Sequence, residues 1–235
     1  MNQSVHFAKI ENQDEQHENF FEFIPIQKGF KNCRRNDYAY WKKWIDKILA
    51  FLLFIMIFPL LLIISSIILC SIGRPIIFRQ KRIGIHGNIF TIYKFNKMKS
   101  NANGEGLLLS EERRITRFGR FLRNSSFDEL PQLWNIMNGE MSFVGPRPIL
   151  IGDLVYLSEE QKKRFSVLPG LTGLAQINGR NSLLWEDKFK FDLDYIQNIS
   201  FRRDLIISLK TILCVIQHKN VNHDINRIRF ANPIE

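Results

Sequence analysis

The chain has 235 residues, with 33 Lys and Arg against 23 Asp and Glu, and therefore a formal net charge of +10 at neutral pH. Its three cysteines and five histidines are widely dispersed, which excludes a zinc cluster or a redox motif and favours a reduced, cytoplasm-facing chain. Basic charge alone permits nucleic-acid binding, but no recognised nucleic-acid motif is present, so we expect no nucleic-acid partner.

Residues 1–40 form a polar, slightly acidic N-terminal extension. An aromatic patch of Phe20, Phe21 and Phe23 interrupts it. This composition predicts a loosely ordered segment, although the aromatic patch could also pack on a domain or enter a membrane interface.

Residues 41–73 contain the strongest hydrophobic signal in the chain. From Ile48 to Ile72, 25 consecutive residues include no Asp, Glu, Lys or Arg. As a helix, this run would be about 37 Å long, and the hydrocarbon core of a bilayer is about 30 Å thick. The run therefore predicts a membrane helix.

Two arrangements of this helix are compatible with its residues. Pro59 lies near the middle of the run, where it removes a backbone hydrogen bond and favours a kink. Basic residues flank the run on both sides: Lys42, Lys43, Lys47, Arg74, Arg79, Lys81 and Arg82. Because Lys and Arg favour the cytoplasmic side, a re-entrant hairpin keeps both flanks inside, whereas a kinked spanning helix places one flank outside.

Residues 74–220 are numerous enough to form one globular domain, followed by a C-terminal tail at 221–235. Their pattern predicts a β-hairpin and two helices, at Ile76–Arg79, Ile89–Tyr93, Ser110–Arg123 and Leu130–Met137. Leu205, Leu209, Ile212, Leu213 and Ile216 have helical spacing. They predict an amphipathic helix whose apolar face contacts the core or, alternatively, a membrane interface.

Two adjacent carboxylates, Asp128 and Glu129, follow the most basic part of the chain. Between Arg74 and Arg123 there are 12 Lys and Arg residues and only 3 acidic residues. Because basic groups neutralise phosphates while carboxylates hold a metal or attack, this pattern favours phosphoryl chemistry on a polyanionic substrate. A predicted chain break before Asp128 places Arg123 and the acidic pair close together at a helix junction.

The segment from Trp41 to Asn220 resembles the bacterial sugar transferases, the small monotopic phosphoglycosyl transferases that begin glycan assembly on a lipid carrier. The resemblance rests on several long motifs in the family's order: FRQKRIG at Phe78–Gly84, IYKF at Ile92–Phe95, LRNSSFDELPQLWN at Leu122–Asn135, GEMSFVGPRP at Gly139–Pro148, PGLTGLAQINGRN at Pro169–Asn181, and the spacing of Trp185, Phe189 and Asp192. Such a series is far more specific than a lone Asp-Glu pair.

This resemblance implies a two-step transfer. Asp128 would attack the β-phosphorus of a UDP-sugar and release UMP, and undecaprenyl phosphate or another polyprenyl phosphate would then take the phosphosugar from the enzyme. Glu129 would be the Mg²⁺ ligand. By motif position, the contacts to phosphate or nucleotide-sugar would come from Lys94, Arg123, Arg147 and Arg180, with Asp192 supporting the site.

Residues and resemblance together predict an α+β fold. It would contain a re-entrant membrane helix kinked at Pro59, a mainly α-helical cytosolic domain with a small β-hairpin, and amphipathic interfacial helices. The resemblance places this protein at the cytoplasmic face of the bacterial inner membrane, with membrane lipids and downstream glycosyltransferases as further partners.

Some positions depart from the family's usual pattern. Asn96 and Lys97 stand where an Arg-Thr pair is usual, and Leu168 stands in place of an Arg. A basic group is thus lost at two positions, and Lys97 offsets one of these losses in part. Phe127 and Leu174 replace a Leu and a Trp.

Two other functions are compatible with the same residues. One is a non-catalytic, membrane-tethered scaffold module whose basic surface holds anionic lipid, nucleic acid or a partner glycosyltransferase. The other is a metal-dependent phosphatase or pyrophosphatase that uses the carboxylates with water. Release of UMP from a UDP-sugar that depends on polyprenyl phosphate, or that stops after one stoichiometric burst without it, distinguishes the transferase from both.

Overall fold

The computed structural model describes residues 37–99, 114–179 and 183–217. Four features predicted from the sequence lie outside these ranges: the N-terminal extension up to residue 36, the helix start at Ser110, Arg180, and the C-terminal tail.

The long helix α1, Asp37–Ser71, contains the whole apolar run and has Pro59 inside it. It is the one helix in the described residues that is long and apolar enough to cross a membrane. Only 17% of its most apolar window is buried within the protein, whereas the core helix of a soluble domain would be mostly buried. Composition and exposure therefore both favour a membrane environment for α1.

The predicted β-hairpin is confirmed, with longer strands. β1, Ile77–Ile83, pairs antiparallel with β2, Ile89–Phe95. The connection is a short 3₁₀ turn at Ile85–Gly87, in which His86 and Gly87 have positive φ angles of 56° and 81°. Phe90 and Ile92 of β2 pack in a core cluster that includes residues of α1.

The predicted helix Ser110–Arg123 is interrupted at Ile115 and Thr116. Ile115 forms an isolated antiparallel bridge with Met98, and Thr116 has extended backbone, so the predicted continuous helix Ser110–Arg123 is wrong. α2 spans Arg117–Ser125, and the Thr116 hydroxyl caps it by accepting the Gly119 N–H at 2.9 Å. A Thr hydroxyl satisfies an orphan amide at a helix start, which fixes the start of α2.

The predicted break before the acidic pair is confirmed, at Ser126. This residue has a left-handed backbone with φ of 60°, after which a 3₁₀ helix covers Phe127–Gln132 and α3 covers Leu133–Asn138. The turn at Ser126 redirects the chain, so the acidic pair begins a new element instead of extending α2.

A second, parallel pair of strands was not predicted. β3, Ser142–Val144, pairs with β4, Gly170–Thr172. Gly170 permits the close approach of the two segments, because a Cβ there would lie 2.1 Å from the backbone nitrogen of Gly145. Strands of only three residues carry almost no periodicity, which explains why the sequence pattern did not reveal them.

Short helices complete the domain. After β3 come a 3₁₀ helix at Ile151–Tyr156, α4 at Glu159–Lys162 and a 3₁₀ helix at Lys163–Ser166; after β4 come α5 at Leu174–Ile177, α6 at Trp185–Gln197 and α7 at Phe201–Ile216. The described fold is thus mostly helical with two small sheets, in agreement with the predicted α+β class.

The predicted amphipathic helix exists as α7, but its apolar face does not contact the core. Leu205, Leu209, Ile212, Leu213 and Ile216 are all exposed, whereas Asp204 and Ile207 are buried. Of the two alternatives predicted for these five residues, contact with the core is therefore wrong, and contact with a membrane interface stays a prediction.

A buried polar network joins α1 to the rest of the domain. Lys42 lies 2.6 Å from Asp204 and 3.1 Å from Asp46. The Ser142 hydroxyl donates to Asp46 at 2.5 Å, and the Tyr195 hydroxyl lies 2.8 Å from Asp204. The N-terminal part of α1 is therefore attached to β3, α6 and α7.

Candidate active site

The acidic pair lies on the 3₁₀ helix that packs against β2. Asp128 and Glu129 occupy the first turn of this helix, and the Glu129 N–H donates to the Ser126 carbonyl at 3.1 Å. Asp128 is buried, and Glu129 is partly buried. A buried carboxylate is strongly destabilising without a partner, so each of these groups requires a nearby cation or donor.

Lys97 is the partner of Asp128. Its ammonium nitrogen lies 3.1 Å from Oδ2 of Asp128, and the two side chains are 27% and 7% exposed. Lys97 lies just after the end of β2, so the strand positions it beside the acidic pair of Asp128 and Glu129, hereafter the dyad. Sequence reasoning noted this lysine only as a departure from the family pattern and did not connect it with Asp128.

Glu129 is held by two cations at once. Its Oε1 accepts from Lys94 at 2.7 Å and from Arg147 at 2.8 Å. Burial by itself raises the pKa of the Glu129 carboxyl, but Arg147 and Lys94 outweigh burial and hold that pKa well below its usual range. Burial lowers the pKa of Lys94, and the charge of Glu129 partly offsets this effect. Glu129 is consequently ionised at neutral pH.

Asp192 is linked to the dyad only indirectly, through Arg164 and Arg147. It forms a buried ion pair of 2.9 Å with Arg164, and Arg164 donates to the backbone carbonyl of Arg147 at 2.6 Å. Burial raises the pKa of Asp192 and lowers that of Arg164, and the attraction between the two charges opposes both shifts. Through Arg164, Asp192 therefore stabilises the loop after β3 that contains Arg147.

A second arginine holds the same loop from the other side. Arg82 donates to the Pro148 carbonyl at 3.3 Å and to the Gln80 side chain at 2.7 Å. Burial and, to a smaller extent, the positive charge of Arg147 lower the pKa of Arg82 to about 10. The sequence did not predict that Arg82 and Arg164 belong to the site. Each lies in a run rich in Lys and Arg, and such runs are equally typical of a solvent-exposed surface.

The structure brings together four of the predicted site residues: Lys94, Asp128, Glu129 and Arg147. Arg123 lies in the last turn of α2, and its side chain forms no ion pair with any described residue. Because Arg180 is not among the described residues, its place in the site stays a prediction.

The dyad's donor set fits a magnesium ion completed by substrate. No group of three or more His, Cys, Asp or Glu side chains suited to a metal occurs within the described ranges. Mg²⁺, however, commonly takes only one or two protein carboxylates, together with substrate phosphates and water. Both cations bind Oε1 of Glu129, and its Oε2 accepts no hydrogen bond from a described residue, so it is available for such an ion.

Comparison with known proteins gives a consistent result. The family model described as bacterial sugar transferase matches residues 37–218. The chain is 42% identical over 180 residues to the uncharacterized sugar transferase EpsL of Bacillus subtilis (strain 168), covering 77% of this chain and 89% of that protein.

Two further relatives have names that state a reaction. The chain is 38% identical over 189 residues to the UDP-glucose:undecaprenyl-phosphate glucose-1-phosphate transferase of Caulobacter vibrioides, covering 76% of this chain and 71% of that protein. It is 31% identical over 203 residues to the undecaprenyl-phosphate galactose phosphotransferase of Salmonella typhimurium, covering 79% of this chain but only 42% of that longer protein.

Proposed function

Because this chain belongs to the bacterial sugar transferase family, we propose that it transfers a sugar 1-phosphate from a UDP-sugar to undecaprenyl phosphate and releases UMP. The observation that carries the proposal is the buried Asp128 carboxylate, with Glu129 beside it and three cations on the pair: Lys94, Lys97 and Arg147. The names of the relatives support the choice of a UDP-sugar donor and a lipid phosphate acceptor.

In the first step, a carboxylate oxygen of Asp128 attacks the β-phosphorus of the UDP-sugar. A carboxylate–phosphorus bond forms, the bond from that phosphorus to the oxygen of UMP breaks, and UMP leaves with the electron pair. A carboxylate nucleophile divides the transfer into two displacements, so that the soluble donor and the lipid acceptor use one pocket in turn.

In the second step, an oxygen of undecaprenyl phosphate attacks the phosphorus of the phosphosugar–enzyme. The bond to Asp128 breaks, the carboxylate is regenerated, and undecaprenyl-diphospho-sugar leaves. Arg147, whose side chain is 53% exposed, can place its guanidinium fork on phosphate oxygens in either step. We expect Arg123 and Arg180 to add phosphate contacts.

Glu129 is the residue that would hold Mg²⁺. When bound, the ion would neutralise negative charge on the substrate phosphates. Since Arg147 and Lys94 keep Glu129 ionised, the carboxylate stays negative and its Oε2 is available to the metal. Glu129→Gln is expected to raise the magnesium concentration needed for half-maximal UMP release, and an unchanged magnesium titration would remove Glu129 from the metal site.

We propose that α1 is re-entrant and holds the domain on the cytoplasmic face of the inner membrane. The packing of α1 supports the re-entrant part of this proposal. Asp46, near one end of α1, bonds to β3 of the domain, and Ile68, near the other end, packs in a cluster with β2 and α2. These contacts are separated by about 33 Å of helix. A perpendicular crossing would carry one of them to the far side of the bilayer, away from the domain that makes both.

The exposed apolar face of α7 supports the same placement. A helix lying in the interface buries such a face among the lipid headgroups and acyl chains. We propose that α1 and α7 together hold the dyad at headgroup depth, where the phosphate of the lipid acceptor lies. Membrane lipids are then direct partners, and downstream glycosyltransferases would receive the product.

The test is UMP release by the full-length protein in vesicles with and without undecaprenyl phosphate, measured across a panel of UDP-sugars. We expect catalytic release with the lipid and one stoichiometric burst without it. Intact-mass analysis should then detect sugar phosphate on the peptide that contains Asp128. Asp128→Asn should abolish this adduct and remain membrane-bound. Continuous UMP release without lipid would identify a hydrolase, and no release from any donor would favour the non-catalytic module.

A further inference from the structure

We propose that Lys97 is a further catalytic residue, a cation that orients the Asp128 carboxylate before the transfer and neutralises the transferred phosphoryl group after it. The inference rests on the proposed function, because it concerns the same carboxylate nucleophile. It goes beyond that function in assigning a specific role to a side chain at which this chain departs from its family's pattern.

The ion pairs of the site divide into two sets. Lys94 and Arg147 both bind Oε1 of Glu129, whereas Lys97 binds Oδ2 of Asp128. Within the described ranges, Lys97 is the only cation at ion-pair distance from Asp128. The nucleophile therefore has its own counter-ion, separate from those of Glu129.

The backbone around Lys97 is firmly held, while its side chain can adjust. The Asn96 N–H donates to the Ile76 carbonyl at 2.8 Å, and the Asn96 side chain bonds to the Pro75 carbonyl at 3.0 Å and to the Met98 N–H at 3.1 Å. On the opposite side, Lys97 contacts α2 at Gly119, where a Cβ would lie 2.1 Å from the Lys97 carbonyl oxygen. A lysine on such a base has a flexible stem with three rotatable donors.

This arrangement leaves one oxygen of Asp128 available for attack. Oδ2 is paired with Lys97, and Oδ1 accepts no hydrogen bond from a described residue. Lys97 thus fixes the direction of the carboxylate without occupying both of its oxygens. Orientation of a nucleophile within a restricted site reduces the entropy lost in reaching the transition state.

The charge on Asp128 changes during the reaction, and Lys97 is placed to follow that change. When the carboxylate oxygen bonds to the β-phosphorus and UMP leaves, Asp128 loses its negative charge and the attached phosphoryl group carries one. The Lys97 ammonium then exchanges the carboxylate oxygen for an oxygen of the attached phosphoryl group. Lys94 and Arg147 undergo no such exchange at Glu129, whose charge is constant. In the transition state, charge is spread over the oxygens of the transferred phosphoryl group, and a cation preorganised beside those oxygens stabilises it.

The experiment compares Lys97→Met, Lys97→Arg and Lys97→Ala with the matched control Lys99→Met. Lys99 lies two residues further along, is exposed and forms no ion pair with a described residue, so its removal takes the same charge from the same segment. Each full-length variant is reconstituted in vesicles without undecaprenyl phosphate. The rate of the UMP burst is then measured with the UDP-sugar that the wild type uses best.

We expect Lys97→Met to slow the burst roughly 100-fold to 1,000-fold. Lys97→Arg should retain about a tenth or more of the wild-type rate, and Lys99→Met should match the wild type within about threefold, because it alters no contact to the dyad. Ethylammonium should accelerate the burst of Lys97→Ala, whereas tetramethylammonium, which has no N–H donor, should not do so at equal ionic strength. A purely structural lysine would show neither rescue by arginine nor rescue by an added amine.

Three results would overturn the inference, each in a different way. A Lys97→Met burst as fast as that of Lys99→Met would remove Lys97 from the chemistry and leave the proposed function intact. A slow Lys97→Met with no rescue by arginine or ethylammonium would reduce Lys97 to a folding role. Failure of the wild type to release UMP from any UDP-sugar would contradict the proposed function and this inference together.

Discussion

At the scale of single residues, the site is a balance of buried charges. Glu129 is ionised because two cations bind one of its oxygens, and this contact depresses its pKa despite burial. The stability that a depressed carboxyl contributes is complete above its unfolded pKa of about 4.3 and is lost as the pH falls through the lower folded value.

Glu129→Gln should therefore destabilise the protein in a pH-dependent manner. At pH 7 we expect a loss of roughly 1–3 kcal/mol, because the largely buried Lys94 is left without its anion. The difference in stability between the two proteins should decrease below about pH 4. In this range the unfolded wild type binds a proton at Glu129 that the folded protein does not. Thermal unfolding of both proteins between pH 7 and pH 3 measures the difference, and a deficit that is equal at all pH values would contradict the ionised state of Glu129.

The buried pair of Arg164 and Asp192 is a second residue-scale determinant. Asp192→Asn leaves the Arg164 charge buried without a counter-ion, and we expect a loss of roughly 3–5 kcal/mol. Replacing both residues with apolar ones of similar size, Arg164→Met with Asp192→Leu, should cost much less.

A double-mutant cycle in thermal unfolding gives the coupling between the two residues. Additive losses would show that the pair does not act as a unit. Since Arg164 bonds to the Arg147 carbonyl, Asp192→Asn should also reduce the rate of UMP release at temperatures where it is folded.

At the scale of elements, the site depends on how closely α2 approaches the segment that follows β2. Gly119 lacks a side chain at the point where the Lys97 carbonyl contacts the helix. Gly119→Ala places a methyl group against this backbone, so we expect a loss of roughly 1–3 kcal/mol and a slower UMP burst, because Lys97 is displaced from Asp128.

Gly152→Ala is the matched control for this substitution. A Cβ at Gly152 has nothing within 4 Å, and we expect a change within about 0.5 kcal/mol. Thermal unfolding and burst rates of the two variants provide the comparison. If Gly119→Ala behaves like Gly152→Ala in both measurements, the close packing of α2 on this segment does not position Lys97.

At the scale of the whole molecule, the central question is how α1 lies in the membrane. The re-entrant arrangement places both ends of α1 in the cytoplasm. Single cysteines at positions 36 and 100, in a background without Cys33, Cys70 and Cys214, should both resist a membrane-impermeant thiol reagent in intact cells. Both should react after lysis.

Labelling at position 36 alone in intact cells would establish a spanning helix instead. Pro59→Leu restores a backbone N–H and removes a ring clash, so it should favour a straight helix. We expect a fraction of this variant to expose position 36 outside the cell and total UMP release to fall, since the dyad would leave the depth of the lipid phosphate.

The sequence by itself determined the family, the long apolar helix, the hairpin and the identity of the acidic pair. These features lie within continuous segments, as periodicity or as ordered motifs, and local patterns suffice to reveal them. The comparisons confirm the prediction that the chain is a bacterial sugar transferase. The roles of Asp128, Glu129 and the predicted phosphate-binding residues stay predictions.

Only the tertiary structure decided which charges meet. Lys97 and Asp128 are 31 residues apart, and Arg164 and Asp192 are 28 apart, so no local pattern connects them. The parallel strands β3 and β4, the exposed face of α7 and the polar network around Lys42 likewise depend on contacts between distant segments. Burial makes an unpaired charge costly, and the chain must fold before it is known which charges are buried and which partners are within reach.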